Sequence, residues 1–232
     1  CGIAGGDAKK GVPGVRLMSC QIFMTVGGQD QGGDGAQAIK WAADHGAVIS
    51  QNSWGYNFDY NGDGVLSGSE LSAALNAKID TYTREAVDYF IRYAGCDNNG
   101  NQLASSPMKG GIVIFAASND NIKNGAPANY APIFAVGSVG ADYKRAYYSN
   151  YGDWVDICAP GGDAYKGYNV LSTIPGNGYG YMQGTSMACP HVSGVAALVV
   201  ANRGGEGFTN TELEGILRES ANQDVLSYNT EA

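Results

Sequence analysis

Ser186 stands in Gly184-Thr185-Ser186, at the start of a stretch from Thr185 to Asn202 that contains no Asp, Glu, Lys or Arg. An uncharged stretch of that length predicts a helix buried on nearly all sides, with Pro190 in its first turn. A hydroxyl at such a helix start sits beside unpaired backbone N–H groups and the positive end of the dipole, an arrangement that can stabilise an oxyanion during acyl transfer. Taken alone, Gly-Thr-Ser equally describes residues that merely cap a buried helix. A Ser nucleophile also needs a His base and an Asp to orient it, and the chain has only two His, His45 and His191. His191 lies five residues along the same helix and His45 ends a surface helix, so both read as structural.

A second set of chemically capable residues runs from Asp59 to Glu70. Asp59-Tyr60-Asn61-Gly62-Asp63-Gly64-Val65-Leu66-Ser67-Gly68-Ser69-Glu70 matches every specified position of an EF-hand loop. Asp59, Asn61 and Asp63 would supply side-chain oxygens, Val65 its carbonyl, Ser67 a direct or water-mediated contact, and Glu70 a bidentate carboxylate, while Gly64 makes the sharp turn. Hard oxygen ligands in that number select Ca²⁺ over Mg²⁺ or zinc. The bland alternative is a solvated Asp/Asn/Gly turn. Leu71 onward offers an exiting helix, but Trp54 to Phe58 offers no entering one, so the site would be a single loop grafted onto another scaffold.

Composition bounds what can carry these residues. A chain of 232 residues with 44% hydrophobic content can bury one substantial core, and no linker or internal repeat divides 1–232. A net charge of −8 without any Lys/Arg cluster argues against nucleic acid. The longest apolar stretches, such as Val192 to Ala201, are interrupted by Ser and Gly and are too short for a membrane span. Five Cys (Cys1, Cys20, Cys96, Cys158, Cys189) are odd in number and lack Cys-x-x-Cys spacing, so neither a disulfide framework nor a zinc site follows. The chain opens on Cys1 with neither an initiator Met nor a signal peptide, and reads as a piece of something longer.

Apolar runs bounded by Gly, Asn and Pro alternate with segments of helical period, which predicts βαβ units. The first run is Val15 to Thr25, followed by a Gly-rich turn and a helix from Ala36 to His45. Strands are expected at Ala47 to Ser50, Ile112 to Ala117, Ile133 to Val139, Trp154 to Ala159 and Val170 to Ile174. Ile112 to Ala117 is nearly all apolar, as in a parallel strand covered on both faces. Leu71 to Tyr93 predicts one long amphipathic helix or two with a bend, and Thr209 with Glu212 predicts a capping box opening a helix through Ser220. Residues 96 to 110 read as a surface loop.

The longer string Gly184-Thr185-Ser186-Met187-Ala188-Cys189-Pro190-His191-Val192-Ser193-Gly194 closely resembles the nucleophile motif of the subtilisin-like serine proteases. Ala159-Pro160-Gly161 and Ser172-Thr173-Ile174-Pro175-Gly176 upstream, and Phe208-Thr209-Asn210-Thr211 downstream, extend the resemblance. It covers nearly the whole chain except about 56–75, the calcium-loop insertion, and about 96–110, a loop insertion. The resemblance implies an α/β fold with three layers and a doubly wound, mainly parallel sheet whose N-terminal part is missing. Ile112 to Asn119 resembles the strand that ends in the oxyanion-hole Asn, which gives Asn119 that role, although Ser118 stands where the family usually has Gly. Val48 to Gly55 resembles the strand that pairs with an extended substrate. By that resemblance Ser53, Trp54 and Gly55 line the substrate cleft, Ala116, Ala117 and Ser118 wall the first specificity pocket, and Gly125-Ala126-Pro127 forms its base. Read on its own, Trp54 would be a core residue, and the two roles are not exclusive.

Cys1-Gly2-Ile3-Ala4-Gly5-Gly6 resembles the residues just after the family's catalytic His motif, so its Asp and His belong upstream of this chain. The expected function is therefore a serine endopeptidase acting on protein or peptide substrates by acyl-enzyme chemistry. Its partner is an upstream segment of the same precursor that carries the Asp and His, and the isolated chain should be nearly inactive. Calcium bound at the loop would stiffen one wall of the cleft. The resemblance and the type of calcium loop imply secretion, or a periplasmic or cell-surface location. The rival reading is a non-catalytic calcium-binding or peptide-binding module on the same fold. A lipase or esterase with a nucleophile elbow does not fit, because no Gly-x-Ser-x-Gly is present.

Overall fold

The computed structural model describes residues 4, 12, 14–23, 25–27, 29–30 and 32–223. Apart from Ala4, the Cys1 to Gly6 segment lies outside them. The expected strand at Val15 to Thr25 does not form as such: 15–23 has no regular structure, and only the ribbon of β1 (Thr25–Val26) and β2 (Gln29–Asp30) follows. No described strand pairs with 15–23, so its amides gain nothing from extending, and Leu17 and Phe23 are left exposed.

The centre is a parallel sheet in the order β3-β4-β5-β6, made of Ile49–Asn52, Ile112–Ala116, Phe134–Val139 and Ile157–Pro160. Every residue of β4 is buried, and its alternating side chains divide the core in two. Ile112, Ile114 and Ala116 pack with α4 (Thr185–Arg203) and α5 (Asn210–Glu219) on one face. Val113 and Phe115 pack with α1 (Gly35–Asp44) and α3 (Thr81–Tyr93) on the other. Helices on both faces of a parallel sheet are the three-layer α/β arrangement that the resemblance implies, built from the βαβ units expected from the sequence.

The Leu71 to Tyr93 segment resolves into two helices, α2 (Gly68–Asn76) and α3. Asp80 caps α3 by accepting from the Thr83 amide, and the carbonyls left at the end of α2 are taken by side-chain amides. Asn124 Nδ2 donates to Ala74 O at 2.7 Å and Asn129 Nδ2 to Ala77 O at 3.0 Å. The capping box at Thr209 and Glu212 forms as expected. The 96–110 loop is pinned by Met108, which is fully buried.

Strand β7 (Val170–Ile174) pairs antiparallel with β8 (Gly178–Met182). Strand β8 has no sequence signature, because Gly178 and Gly180 read as turn residues. They serve packing instead: a Cβ on Gly180 would lie 3.1 Å from the Ile174 side chain. Among the described residues no helix is long and apolar enough to cross a membrane.

Candidate active site

Helix α4 delivers Ser186 at its second position, and its cap is Gly184 at φ 145°, a conformation open to glycine. Ser186 is half-buried while Thr185 is fully buried. Pro190 is the sixth residue of α4, past the first turn where the sequence placed it. A proline there has no N–H for the carbonyl four residues back, which is that of Ser186. The Ser53 hydroxyl, at the end of β3, supplies the missing donor at 2.8 Å. Gln51 Nε2 in turn donates to Ser53 Oγ at 2.7 Å. Proline inside the helix is tolerated because β3 completes its hydrogen bonding, and the same bond ties the residue bearing the hydroxyl to the sheet.

Asn119 follows β4 and is exposed. Its Oδ1 accepts from the Thr185 amide at 2.8 Å and from Thr185 Oγ1 at 2.9 Å. With the oxygen held on both counts, the amide nitrogen is the end of Asn119 left for a ligand. The space beside Gly184 is where these groups converge: a Cβ there would sit 3.7 Å from Asn119 Nδ2 and 3.7 Å from Ser186 N. The Ser186 amide is among the helix-start N–H groups without an intrahelical partner. Two donors thus lie within 3.7 Å of one point beside Gly184, two residues before the hydroxyl-bearing Ser186, an arrangement able to serve as an oxyanion site.

Ser118 adopts φ 77°, the left-handed region that glycine would enter freely. The backbone therefore turns here as it would with Gly, and Asn119 is delivered to Thr185. The Ser118 hydroxyl fills the space over Gly55, where a Cβ would meet it at 2.9 Å. A cavity of about 230 Å³ adjoins Ser186, bounded by Gln51, Ser53, Met187, Pro190 and the β7–β8 hairpin. Of the expected cleft residues it takes in Ser53. Trp54 turns to the core, where it meets Phe115 edge-on at 4.9 Å and donates to Asn52 Oδ1 at 3.1 Å. Ala116 and Ala117 are buried, while Gly55 is exposed and Ser118 half-buried. Gln51 does not stand out in the sequence, although its place two residues before Ser53 on a strand puts both on one side.

Neither histidine attends Ser186. His191 Nδ1 lies 2.8 Å from Met187 O, and His45 Nδ1 lies 2.7 Å from Trp41 O, each bonding one turn back along its own helix. Ser186 Oγ donates instead to the Ser53 carbonyl over a long 3.4 Å. Cys189 lies one turn below, and burial pushes its thiol up to about 11, so it stays protonated and inert. Cys20, Cys96, Cys158 and Cys189 are all free.

The 59–70 loop folds around its own amides. Asp59 Oδ1 accepts from Gly62 N at 2.8 Å and Asp59 Oδ2 from Gly64 N at 2.9 Å. Asn61 Oδ1 accepts from Asp63 N and Asp63 Oδ1 from Val65 N, both at 2.8 Å. Glu70, in the first turn of α2 and only 8% exposed, reaches back to the amides of Tyr60 at 3.0 Å and Asn61 at 3.3 Å. Val65 and Ser67 are exposed, and no helix enters the loop. Among the described residues no three Asp, Glu, His or Cys side chains are gathered closely enough to hold a metal as placed. The donor types and their order nevertheless match the calcium-loop pattern, and Glu70 folds back onto the start of the loop.

Comparison with known proteins gives the chain's relatives and its fold. The chain is 33% identical over 210 residues to alkaline elastase YaB of Bacillus sp. (strain YaB), covering 90% of this chain and 44% of that protein. It is 36% identical over 170 residues to the thermophilic serine proteinase of Bacillus sp. (strain AK1), covering 71% of this chain and 38% of that protein. A solved protease structure from Pseudoalteromonas arctica superposes with a TM-score of 0.59 at 31% identity, over 84% of this chain and 54% of that one. The chain therefore spans about half, or less, of the length of the proteins it matches. The model of the subtilase family matches residues 1–231, and the chain belongs to that family.

Proposed function

We propose that this chain is the nucleophile-bearing part of a serine endopeptidase. The observation that carries the reading is that Asn119, held by Thr185 at the start of the helix bearing Ser186, brings its Nδ2 and the Ser186 amide within 3.7 Å of one point beside Gly184. Ser186 Oγ attacks the scissile carbonyl of an extended peptide lying along Ser53 to Gly55. The developing oxyanion takes hydrogen bonds from Asn119 and the Ser186 amide, the amine leaves, and water hydrolyses the acyl-enzyme.

The proton from Ser186 needs an acceptor, and both histidines of this chain are committed elsewhere. The base and its orienting Asp therefore come from an upstream segment, either continuous with this chain or docked onto it. Ala4 supports that route: it packs on α4 at Gly194, approaching to 3.3 Å of a Cβ position there. Gly194 is about 12 Å along the helix from Ser186, so Ala4 lies on the helix that carries the nucleophile. The test is a fluorophosphonate probe with a peptide-hydrolysis assay. The chain alone is expected to label slowly and hydrolyse almost nothing, and addition of the upstream segment to restore both. Rapid labelling of the isolated chain would refute the missing base. Absence of labelling and hydrolysis in the assembled protein would favour the non-catalytic module.

The loop from Asp59 to Glu70 is the calcium site of this protein, held by Asp59, Asn61, Asp63, Val65, Ser67 and Glu70. When bound, the ion supplies charge neutralisation and a fixed loop, not a catalytic group. Saturating Ca²⁺ at a hundredfold excess over Kd adds about 2.7 kcal/mol of stability, which in a chain of this size raises Tm by roughly 5–10 °C. Glu70→Gln is expected to abolish that rise, read by thermal denaturation in chelator and in calcium. An equal Tm in both conditions for the unsubstituted chain would refute the site. A loop of this kind suits the calcium levels outside a cell, which supports secretion.

A further inference from the structure

Strand β5 carries a hydroxyl that a hydrophobic core does not require. Ser138 is fully buried, and the Tyr148 side chain facing it is only 6% exposed. Ser138 Oγ lies 2.7 Å from the Tyr148 hydroxyl, which reaches Gly162 O at 2.7 Å and Gly161 O at 3.0 Å. A phenol has one proton, so the consistent assignment is a relay. Ser138 O–H donates to the Tyr148 oxygen, and Tyr148 O–H donates to the carbonyls of Gly161 and Gly162. Burial pushes the Tyr148 phenol above its ordinary value, which keeps it a donor.

The relay ends next to the nucleophile. Gly161 O also accepts from Gly184 N at 2.9 Å, and Gly184 caps the helix that presents Thr185 and Ser186. The stack has no slack: a Cβ on Gly161 would lie 2.0 Å from Ser138 Oγ and 2.6 Å from Gly184 O. Any shift of the Gly161-Gly162 turn is thus passed to Gly184, and from there to the Ser186 amide opposite Asn119.

We propose that Tyr148, backed by Ser138, is a positioning residue for the oxyanion site, bracing Gly161-Gly162 so that Gly184 and the Ser186 amide keep their place. The proposal rests on the peptidase reading, since it concerns how that reaction is supported. Tyr148 itself touches no substrate; it acts through Gly161 and Gly184.

The test uses the complete protein, with its upstream segment, and Tyr148→Phe. Misplacing a donor by a fraction of an ångström is expected to lower kcat about tenfold, with KM changing by less than roughly twofold. A peptide aldehyde, whose adduct places an oxygen between Asn119 Nδ2 and the Ser186 amide, should bind more weakly by the same factor as kcat/KM. The double variant Ser138→Ala with Tyr148→Phe removes both hydroxyls, so it should recover Tm lost by orphaning Ser138 while kcat stays low. Unchanged kcat and aldehyde affinity in Tyr148→Phe, with only Tm reduced, would overturn the positioning role. Lack of hydrolysis by the unsubstituted protein would instead overturn the peptidase reading, and this proposal with it.

Discussion

Ser186→Ala, made in the assembled protein, is expected to lower kcat about a millionfold while leaving Tm and peptide binding nearly unchanged. That magnitude is the one known for subtilisin, a relative by family, and is carried over from it. The direction follows from the structure itself. Ser186 Oγ contributes only a 3.4 Å bond to the Ser53 carbonyl, so its loss costs the fold little. The tie between α4 and β3 runs through the Ser186 carbonyl and Ser53 Oγ, which alanine retains. Comparison of kcat and thermal denaturation for the two proteins checks both parts.

Asn119→Asp should have the next largest effect. The aspartate keeps an oxygen for the Thr185 amide and hydroxyl, so the start of α4 stays anchored as it is by Asn119 Oδ1. What changes is the other end, where a donor becomes a carboxylate facing the developing negative charge. Loss of one oxyanion donor costs about 10²–10³ in kcat, a range drawn from subtilisin itself, and like-charge repulsion pushes this variant to or beyond its upper end. KM should change little, because the ground-state carbonyl makes less use of the donor. A kcat within about threefold of the unsubstituted protein, measured under saturating substrate, would remove Asn119 from the transition state.

The fold was legible where a single physical demand dominated a segment. Ile112 to Ala116 is apolar throughout because both faces of β4 are covered, and Thr209 with Glu212 announces a helix because the box is a local hydrogen-bond pattern. Legibility failed where a distant partner decided. Residues 15–23 look strand-like but find no described strand to pair with, and β8 is hidden because its glycines are shaped by Ile174 across the hairpin. For Leu71 to Tyr93 the sequence allows one long helix or two with a bend; the second forms, dividing after Asn76, where Asn124 and Asn129 satisfy the carbonyls that the break exposes.

The site follows the same rule. Ser186 and Asn119 stand out only through the family resemblance of the strings that carry them; alone, Gly184-Thr185-Ser186 reads as a helix cap and Ser118-Asn119-Asp120-Asn121 as a turn. Three things could not be read along the chain: that Thr185 turns the Asn119 amide outward, that Pro190 frees a carbonyl for Ser53, and that Tyr148 braces Gly161. Each depends on atoms brought together from separate elements. The ring of Trp54 lies against Phe115, the core packing its own residue type suggests, and this does not exclude the cleft role given by resemblance.

If Ser186 is an activated nucleophile only when an upstream base is in place, a fluorophosphonate adduct mapped by peptide mass spectrometry will show it. A stoichiometric adduct on Ser186 is expected in the assembled protein, lost in Ser186→Ala and formed only slowly by the chain alone. An adduct on another residue, or full and rapid modification of Ser186 without the upstream segment, would contradict that dependence.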